Sequence, residues 1–249
     1  MSKRVCLITG ASRGIGAATA QLAGQRGYTV ALNYRESGDE AEAVAETIRR
    51  DRGVALTLRA DVASEPEVVA LFERIDAELG PLDALVNNAG ILFPQMRVEE
   101  MDAERLRRTF DVNVVGSFLC AREAVRRMST RHGGAGGTIV NVSSRASQLG
   151  SPDEYVDYAA SKGAVDTLTI GLAQEVAAEG VRVAAVRPGI IDTGIHASGG
   201  DPDRVARLAG SIPMGRGGTP EEVAKAILWL ISDEAAYATG SVIDVAGGR

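Results

Sequence analysis

The hydrophobic pattern of this chain alternates between short apolar runs and longer amphipathic stretches from one end to the other. The apolar runs are rich in Val, Ile and Leu and lie between turn residues, which is typical of buried strands. These predicted strands cover 4–9, 29–34, 55–60, 82–87, 138–143, 181–186 and 241–245. The stretches between them have a helical period, and the predicted helices cover 14–26, 38–52, 65–79, 102–130, 156–179 and 220–233.

Regular alternation of strands and helices predicts an α/β fold with one parallel sheet. Because the strands are apolar along almost their whole length, we expect helices to cover both faces of that sheet. No internal repeat or linker divides the 249 residues, so we expect a single domain over 1–249. The longest stretch without a predicted element is 192–218, and long loops in compact domains are usually functional.

Composition and charge exclude several other classes of protein. Hydrophobic residues make up 45% of the chain and charged residues 24%, as in ordinary globular proteins, and the net charge is −6. A negative chain is an unlikely nucleic-acid partner, and no apolar stretch is long enough to cross a membrane. The only cysteines, Cys6 and Cys120, lie in apolar segments, which fits a cytoplasmic protein. Two cysteines and two histidines without ligand spacing predict no metal site.

A glycine-rich turn joins the first predicted strand to the first predicted helix. It reads Thr9-Gly10-Ala11-Ser12-Arg13-Gly14-Ile15-Gly16. Glycine lets backbone N–H groups approach a ligand closely, and the start of a helix attracts anions. The spacing differs from the common dinucleotide pattern, but its position predicts a pyrophosphate site formed by Gly10, Ser12, Arg13, Gly14, Ile15 and Gly16.

The end of the second predicted strand indicates which dinucleotide is bound. Sites that bind NAD usually have an acidic residue here for the ribose 2′-hydroxyl. This chain has Asn33, Tyr34 and Arg35 instead. Because Arg35 and Arg13 could both bind a 2′-phosphate, the sequence favours NADP. NAD stays possible, since Glu36 and Asp39 follow closely.

The segment Tyr158-Ala-Ala-Ser-Lys162 places a phenol and an amine four residues apart, on one face of a predicted helix. An isolated pair of this kind is usually a packed ring and an amine that reaches solvent. A lysine close to a tyrosine can also lower the pKa of the phenol towards neutral pH, where it could exchange protons with a substrate. We therefore expect Lys162 to lower the pKa of Tyr158.

Together these features resemble the short-chain dehydrogenase/reductase family, in its compact single-domain branch. The resemblance covers essentially the whole chain. Its motifs are TGASRGIG at 9–16, DV at 61–62, NNAG at 87–90, VN at 112–113, VSS at 142–144, YxxxK at 158–162 and PGxxxT at 188–193. It implies a Rossmann-type sheet of seven parallel strands in the order 3-2-1-4-5-6-7, and a homodimer or homotetramer paired through helices 112–130 and 156–179.

The resemblance also assigns the site residues. It implies the catalytic residues Asn113, Ser144, Tyr158 and Lys162, with Asn113 holding a water that passes protons to Lys162 and with Lys162 also binding the nicotinamide ribose. Ser144 stands fourteen positions before Tyr158, one more than usual in the family, so Ser143 is the alternative. The cofactor contacts implied are adenine at Asp61 and Val62, ribose at Asn87, Ala89 and Gly90, and the carboxamide at Pro188, Gly189, Ile191 and Thr193.

We therefore expect an NADP-dependent oxidoreductase that acts on a secondary alcohol or carbonyl compound, such as a sugar, polyol or ketone. The segment 142–164 resembles glucose 1-dehydrogenase-like members of the family. The alternatives are a 3-oxoacyl-thioester reductase and a dinucleotide-sensing module without catalysis. His196 lies in the long loop near the expected nicotinamide site; a surface histidine is expected, and contact with the substrate is the alternative. Trp229 is expected to pack in the core or between subunits.

Overall fold

Seven strands form one parallel sheet in the computed structural model, which describes residues 4–249. The strands are β1 (Val5–Ile8), β2 (Thr29–Tyr34), β3 (Val54–Arg59), β4 (Leu82–Asn87), β5 (Gly137–Val142), β6 (Val181–Pro188) and β7 (Val242–Val245). Their order in the sheet is β3-β2-β1-β4-β5-β6-β7, and every neighbouring pair is parallel. The predicted fold and strand order are confirmed.

Helices cover both faces of this sheet. They are α1 (Gly14–Gln25), α2 (Gly38–Arg50), α3 (Glu65–Glu78), α4 (Ala103–Phe110), α5 (Gly116–Met128), α6 (Ala146–Leu149), α7 (Val156–Val176), α8 (Ile195–Ser198), α9 (Arg204–Leu208) and α10 (Pro220–Ile231). One apolar core packs the sheet against α1, α2 and α10, and the other packs it against α3, α5 and α7. Along β1, Cys6 and Ile8 enter the first core while Val5 and Leu7 enter the second, so the whole strand has to be apolar.

Two predicted stretches differ from the structure. The helix predicted over 102–130 consists of α4 and α5 joined by a π-helical turn at Asp111–Val115. This turn carries Asn113, whose side chain bonds to the backbone of Ile91, so a tertiary contact accompanies the change of helix type. The stretch 192–218 was expected to be irregular, but it contains the short helices α8 and α9.

The carboxyl ends of the strands meet at one edge of the sheet. The chain leaves β1 after Ile8 and leaves β4 after Asn87, and these two strands are neighbours although their onward connections run in opposite directions. In open α/β sheets, ligands bind in the crevice at this reversal point. Within residues 4–249, none of the helices has the length and hydrophobicity that crossing a membrane requires.

Candidate functional site

Two adjoining cavities open at the carboxyl edge of the sheet. The larger has a volume of about 480 Å³ and the smaller about 250 Å³. They share the wall residues Ile15, Asn88, Gly90, Thr193 and Ile195. Because the cavities have these residues in common, a long ligand in the smaller cavity can extend into the larger one.

The start of α1 forms one wall of the smaller cavity. Helix α1 begins at Gly14, where φ is +56°, a conformation that favours glycine. The residue before it, Arg13, gives no side-chain hydrogen bond to the first turn, and that turn has no acidic residue. Free N–H groups and the positive end of the helix dipole therefore lie beside the cavity, which fits a pyrophosphate. A dinucleotide fits this part of the site.

Gly16 has a different role from the one predicted, because it does not line either cavity. A Cβ atom there would lie 2.3 Å from the carbonyl oxygen of Gly10 and 2.6 Å from Nδ2 of Asn88. The Asn88 amide donates hydrogen bonds of 2.9 Å to the carbonyls of Thr9 and Gly10, which holds the turn in place. Gly16 therefore allows the turn and α1 to pack closely, and Asn88 is a site residue that the motif did not single out.

The far end of the smaller cavity contains the residues that were predicted to distinguish NADP from NAD. Arg13, Tyr34 and Arg35 all line it. Arg35 forms an ion pair of 2.6 Å with exposed Glu36 and lies 3.9 Å from Asp61. Arg13 forms no ion pair with any residue in 4–249. At this end of the cavity, Glu36 partly neutralises the charge of Arg35, whereas the charge of Arg13 is not neutralised by any ion pair within 4–249.

Asn33 and Asp61, two further predicted cofactor residues, line the same cavity and also hold backbone in place. Asn33 is buried; its Nδ2 donates to the carbonyl of Ala60 at 3.0 Å, and its Oδ1 accepts from the N–H of Gly10 at 3.4 Å. Burial acts to raise the pKa of Asp61, but the N–H of Ala63 and the guanidinium of Arg108 outweigh it, so this pKa is lower than usual. Asp61 is therefore an anion at neutral pH.

The larger cavity is lined by Ser144, Tyr158 and Lys162. The Lys162 amine is buried, donates a 2.8 Å hydrogen bond to the carbonyl of Val142, and lies 5.6 Å from the centre of the Tyr158 ring. This contact with the end of β5 fixes the lysine beneath the phenol. The spacing of four residues on α7 thus brings both groups to one cavity, as the sequence predicted.

The expected effect of Lys162 on Tyr158 is wrong for this structure. Burial raises the pKa of Tyr158 to about 12, and the nearby Ser144 hydroxyl offsets only part of that rise. Burial also lowers the pKa of Lys162 to about 8, against an opposing effect of Asp166. Desolvation disfavours both charged forms, and Lys162 is not among the groups that lower the pKa of Tyr158. The phenol therefore keeps its proton at neutral pH.

The two candidate serines differ in what their hydroxyl groups do. Ser144 accepts a hydrogen bond from the N–H of Ala146 and lies beside the phenol of Tyr158. The Ser143 hydroxyl is buried and donates to the carbonyl of Lys162 at 3.2 Å. Ser144 is therefore the serine whose hydroxyl is close to the phenol, despite the unusual spacing.

Asn113 lies behind the cavity wall. Its Oδ1 accepts from the N–H of Ile91 at 2.8 Å, and its Nδ2 donates to the carbonyl of Ile91 and to the Ser161 hydroxyl. A Cβ atom on Gly90 would lie 3.4 Å from Oδ1 of Asn113 and 3.5 Å from Nζ of Lys162, so the two groups face the same small space. The predicted water between them stays a prediction.

Most of the other predicted cofactor residues line the cavities, and Asn87 is the exception. Those on the walls are Gly10, Ser12, Ile15, Val62, Ala89, Gly90, Pro188, Gly189, Ile191 and Thr193. The Asn87 side chain instead points into the core, where its Nδ2 donates to the carbonyl of Ser117 and to Oδ1 of Asn141. The Asn87 side chain thus links β4 to α5 and β5 inside the core, and it does not line the cavity where the ribose contact was predicted.

His196 is buried, so the prediction of a surface histidine is wrong. Helix α8 turns its ring into the protein, where Nε2 lies 2.8 Å from the carbonyl oxygen of Ile191 and the residue lines the larger cavity. Arg145, Tyr155 and Arg204 also line this cavity and were not predicted. The sequence points to segments 145–157 and 191–216 as the source of this pocket, but tertiary packing decides which of their side chains face inward.

Comparison with known proteins finds full-length relatives. A family model described as Enoyl-(Acyl carrier protein) reductase matches residues 10–249. The chain is 60% identical to an uncharacterized oxidoreductase, YgfF, of Escherichia coli, over 98% of this chain and 99% of that one. It is 43% identical to the cis-4-hydroxycyclohexanecarboxylate dehydrogenase of Sinomonas cyclohexanicum, over 99% and 96%. It is 36% identical to glucose 1-dehydrogenase 2 of Bacillus subtilis, over 100% and 95%.

Solved structures with the same fold match almost the whole chain. A short-chain dehydrogenase from Burkholderia cenocepacia, in complex with NADP, superposes with a TM-score of 0.90 at 31% identity and covers 100% of this chain and 98% of its own. A short-chain type dehydrogenase/reductase from Mycobacterium marinum gives 0.92 at 38% identity, over 99% and 95%.

Proposed function

The chain belongs to the short-chain dehydrogenase/reductase family, a family of NAD(P)-dependent oxidoreductases, and we propose that it transfers hydride between NADP and a secondary alcohol or its carbonyl form. The observation that carries this proposal is the shared cavity of Ser144, Tyr158 and Lys162, directly beside the uncapped start of α1. A proton-handling group and an anion-binding helix end thus lie on adjoining walls. A protein that only senses dinucleotides would not need the first of these.

The chemistry of these residues supports carbonyl reduction. When bound, the nicotinamide supplies the hydride. Tyr158, with a pKa of about 12, carries the proton that a reduced carbonyl oxygen has to receive. The Ser144 hydroxyl is placed to donate a hydrogen bond to the same oxygen, and Lys162 supplies positive charge beneath the phenol while it is protonated. Asn113 holds the Ile91 backbone and thereby the wall beside Lys162.

The choice of NADP rests on Arg13 and Arg35. Both line the end of the smaller cavity next to Tyr34, at the position where NAD sites usually carry an acid. The related protein from Burkholderia cenocepacia was solved with NADP, which supports the same choice. NAD is the alternative, since Glu36 pairs with Arg35 and could instead accept a ribose hydroxyl.

For the substrate we propose a sugar, polyol or ketone of modest size. Two relatives are named for cyclic alcohol substrates, a hydroxycyclohexanecarboxylate and glucose. The larger cavity, of about 480 Å³, also has to admit the nicotinamide, and the remaining space suits a substrate of about one substituted ring. A 3-oxoacyl-thioester reductase is the second candidate, because other relatives 37% identical to this chain carry that name.

We further propose one domain over 1–249, a homodimer or homotetramer, and a cytoplasmic location. A single sheet and two continuous cores support one domain. Exposed apolar side chains on α5 and α7, Phe118 and Ile170, support pairing of these helices between subunits, and Trp229 is also partly exposed. Cys6 and Cys120 are free and buried, which fits a reducing compartment. Light scattering of the purified protein tests the oligomeric state.

The test of the proposed activity is NADPH absorbance with a panel of sugars, polyols, ketones and acyl thioesters. Tyr158→Phe should lower kcat by about 10²-fold or more, since it removes the proton donor. The matched control is Tyr237→Phe, because Tyr237 is fully exposed and lies outside the walls of both cavities. Undiminished turnover by Tyr158→Phe would rule out the proposed chemistry, and faster turnover with acyl thioesters than with any ketone would favour the second candidate.

A further inference from the structure

Buried polar atoms without a partner are rare in folded proteins, so each one needs an explanation. Within residues 4–249, three such side-chain atoms occur: Oδ1 of Asp166, Nδ1 of His196 and Nη1 of Arg204. Two of these three belong to residues that line the larger cavity, His196 and Arg204. Both residues are more than nine-tenths buried. The unmet hydrogen-bonding capacity is therefore concentrated in the wall of the candidate substrate site.

The contacts of His196 decide what its free nitrogen can do. Nε2 lies 2.8 Å from the carbonyl oxygen of Ile191, which can only accept, so Nε2 carries a hydrogen. Burial, together with the positive charge of Arg204, lowers the pKa of His196 against the opposing effects of the hydrogen bond to the Ile191 carbonyl and of the carboxylates Asp201 and Asp192. The ring is therefore neutral at physiological pH. In the neutral ring with hydrogen on Nε2, Nδ1 is a hydrogen-bond acceptor.

Arg204 provides the complementary donor. Its Nη2 donates to Glu154 at 2.5 Å, its guanidinium lies 5.0 Å from the centre of the Tyr155 ring, and Nη1 is 3.8 Å from Asp201, beyond hydrogen-bond distance. These contacts hold the guanidinium in place and leave Nη1 with hydrogen atoms to donate, and the charge of Arg204 acts on His196. Two residues of the cavity wall thus carry one acceptor and one donor without a partner, each just beneath the surface of the cavity.

We propose that His196 and Arg204 bind a second hydroxyl group of the substrate, one that does not react, and that the enzyme therefore prefers hydroxylated ketones and polyols to simple ones. A hydroxyl group can donate to Nδ1 and accept from Nη1 at the same time. Both atoms are shielded from solvent, and the one-turn helix α8 has to yield slightly for the hydroxyl to reach them. This proposal rests on the proposed oxidoreductase function.

The same contacts disfavour a carboxylate at this position. Glu154 and Asp201 already balance the charges of Arg204 and Arg207, so this part of the wall has no excess positive charge. A carboxylate would also direct its lone pairs at the lone pair on Nδ1 of His196. A neutral hydroxyl avoids both costs.

The experiment compares reduction of 2-, 3- and 4-hydroxycyclohexanone with reduction of cyclohexanone, with 4-oxocyclohexanecarboxylate as the anionic member of the series. In the wild type, kcat/KM for at least one hydroxyketone should exceed that for cyclohexanone by about tenfold or more, as expected for a site built to bond a hydroxyl. His196→Gln should abolish this preference, because Gln can still donate to the carbonyl of Ile191 but has no acceptor at the position of Nδ1. His132→Gln, at an exposed histidine, is the matched control and should keep the wild-type preference.

The proposal is overturned if no hydroxyketone is preferred, if His196→Gln keeps the preference, or if the carboxylate is the best substrate in the series. A second readout separates its failure from failure of the proposed function. Calorimetric binding of the matching cyclohexanediol to Tyr158→Phe with NADP present does not need turnover, and adding His196→Gln should weaken it about tenfold. Binding that is lost with His196→Gln supports the hydroxyl site even if hydride transfer is never observed, and equal binding to both proteins contradicts it.

Discussion

Replacing Arg35 with Gln should weaken the binding of NADPH by about tenfold and leave the binding of NADH unchanged. A hydrogen bond from a charged group contributes about 1.5–3 kcal/mol. The Arg35 side chain is 40% exposed and already paired with Glu36 at 2.6 Å, so we take the lower end of that range. About 1.4 kcal/mol corresponds to a factor of ten in affinity. NADH has no 2′-phosphate and loses nothing at this position.

The two affinities are measured by calorimetric titration at one fixed salt concentration, because charge–charge attraction depends on screening. Arg50→Gln is the matched control: it removes the same charge from the exposed end of α2, outside both cavities. If Arg13 binds the same phosphate, the double change of Arg13 and Arg35 should lower NADPH affinity further than Arg35→Gln alone, and the two losses should not simply add because both arginines share one partner. Equal weakening of NADH and NADPH, or no weakening of NADPH, would refute the assignment of these arginines to the 2′-phosphate.

Three further outcomes are expected. The wild-type kcat/KM for carbonyl reduction should fall as the pH rises through about 8, because Lys162 loses its charge there, and a flat profile from about pH 6 to 10 would contradict this. Asp157→Asn should lower the free energy of unfolding in urea by about 3–5 kcal/mol, because it leaves the buried Arg105 guanidinium without its anionic partner. The control Asp153→Asn, at an exposed ion pair, should change this free energy little, and equal losses in the two variants would argue against a special role of the buried pair. Gly16→Ala should weaken dinucleotide binding and lower the melting temperature, because its Cβ atom would collide with the glycine-rich turn. Gly171→Ala, with open space around its Cβ atom, should do neither, and unchanged affinity in Gly16→Ala would show that the turn can relax.

The architecture could be predicted because it depends on patterns that are local in sequence. Strands such as β1 are apolar on both faces, and each is followed by a helix-length amphipathic stretch. A parallel sheet with helices on both faces buries all of these apolar side chains. The positions of Tyr158 and Lys162 on one wall follow from helix geometry alone. The order of the strands came from resemblance to a family, since no residue pattern in the chain specifies it.

The remaining features depend on contacts between distant segments. His196 is buried because α8 folds back over Ile191, and Asn87 points into the core because Asn141 on the neighbouring strand accepts its hydrogen bond. The raised pKa of Tyr158 has the same origin, since the degree of burial is a property of the assembled cavity. An estimate of the Tyr158 pKa from sequence spacing includes the charge of Lys162 but leaves out the desolvation of the buried phenol.

The π-helical turn between α4 and α5 has a consequence for how related chains can differ in length. Such a turn accommodates one residue more than an α-helical path over the same rise, so it absorbs the rotation of about 100° that one added residue would impose on the downstream part of a regular α-helix. Upstream of the turn Arg105 faces Asp157, and downstream Cys120 and Ala124 face the sheet. A single deletion within 111–115 would therefore convert the π-helical turn to α-helix and keep both surfaces facing their partners, whereas a deletion elsewhere in α4 or α5 would turn one surface away. Single-residue gaps in aligned relatives should therefore be tolerated at these five positions and avoided in the rest of α4 and α5.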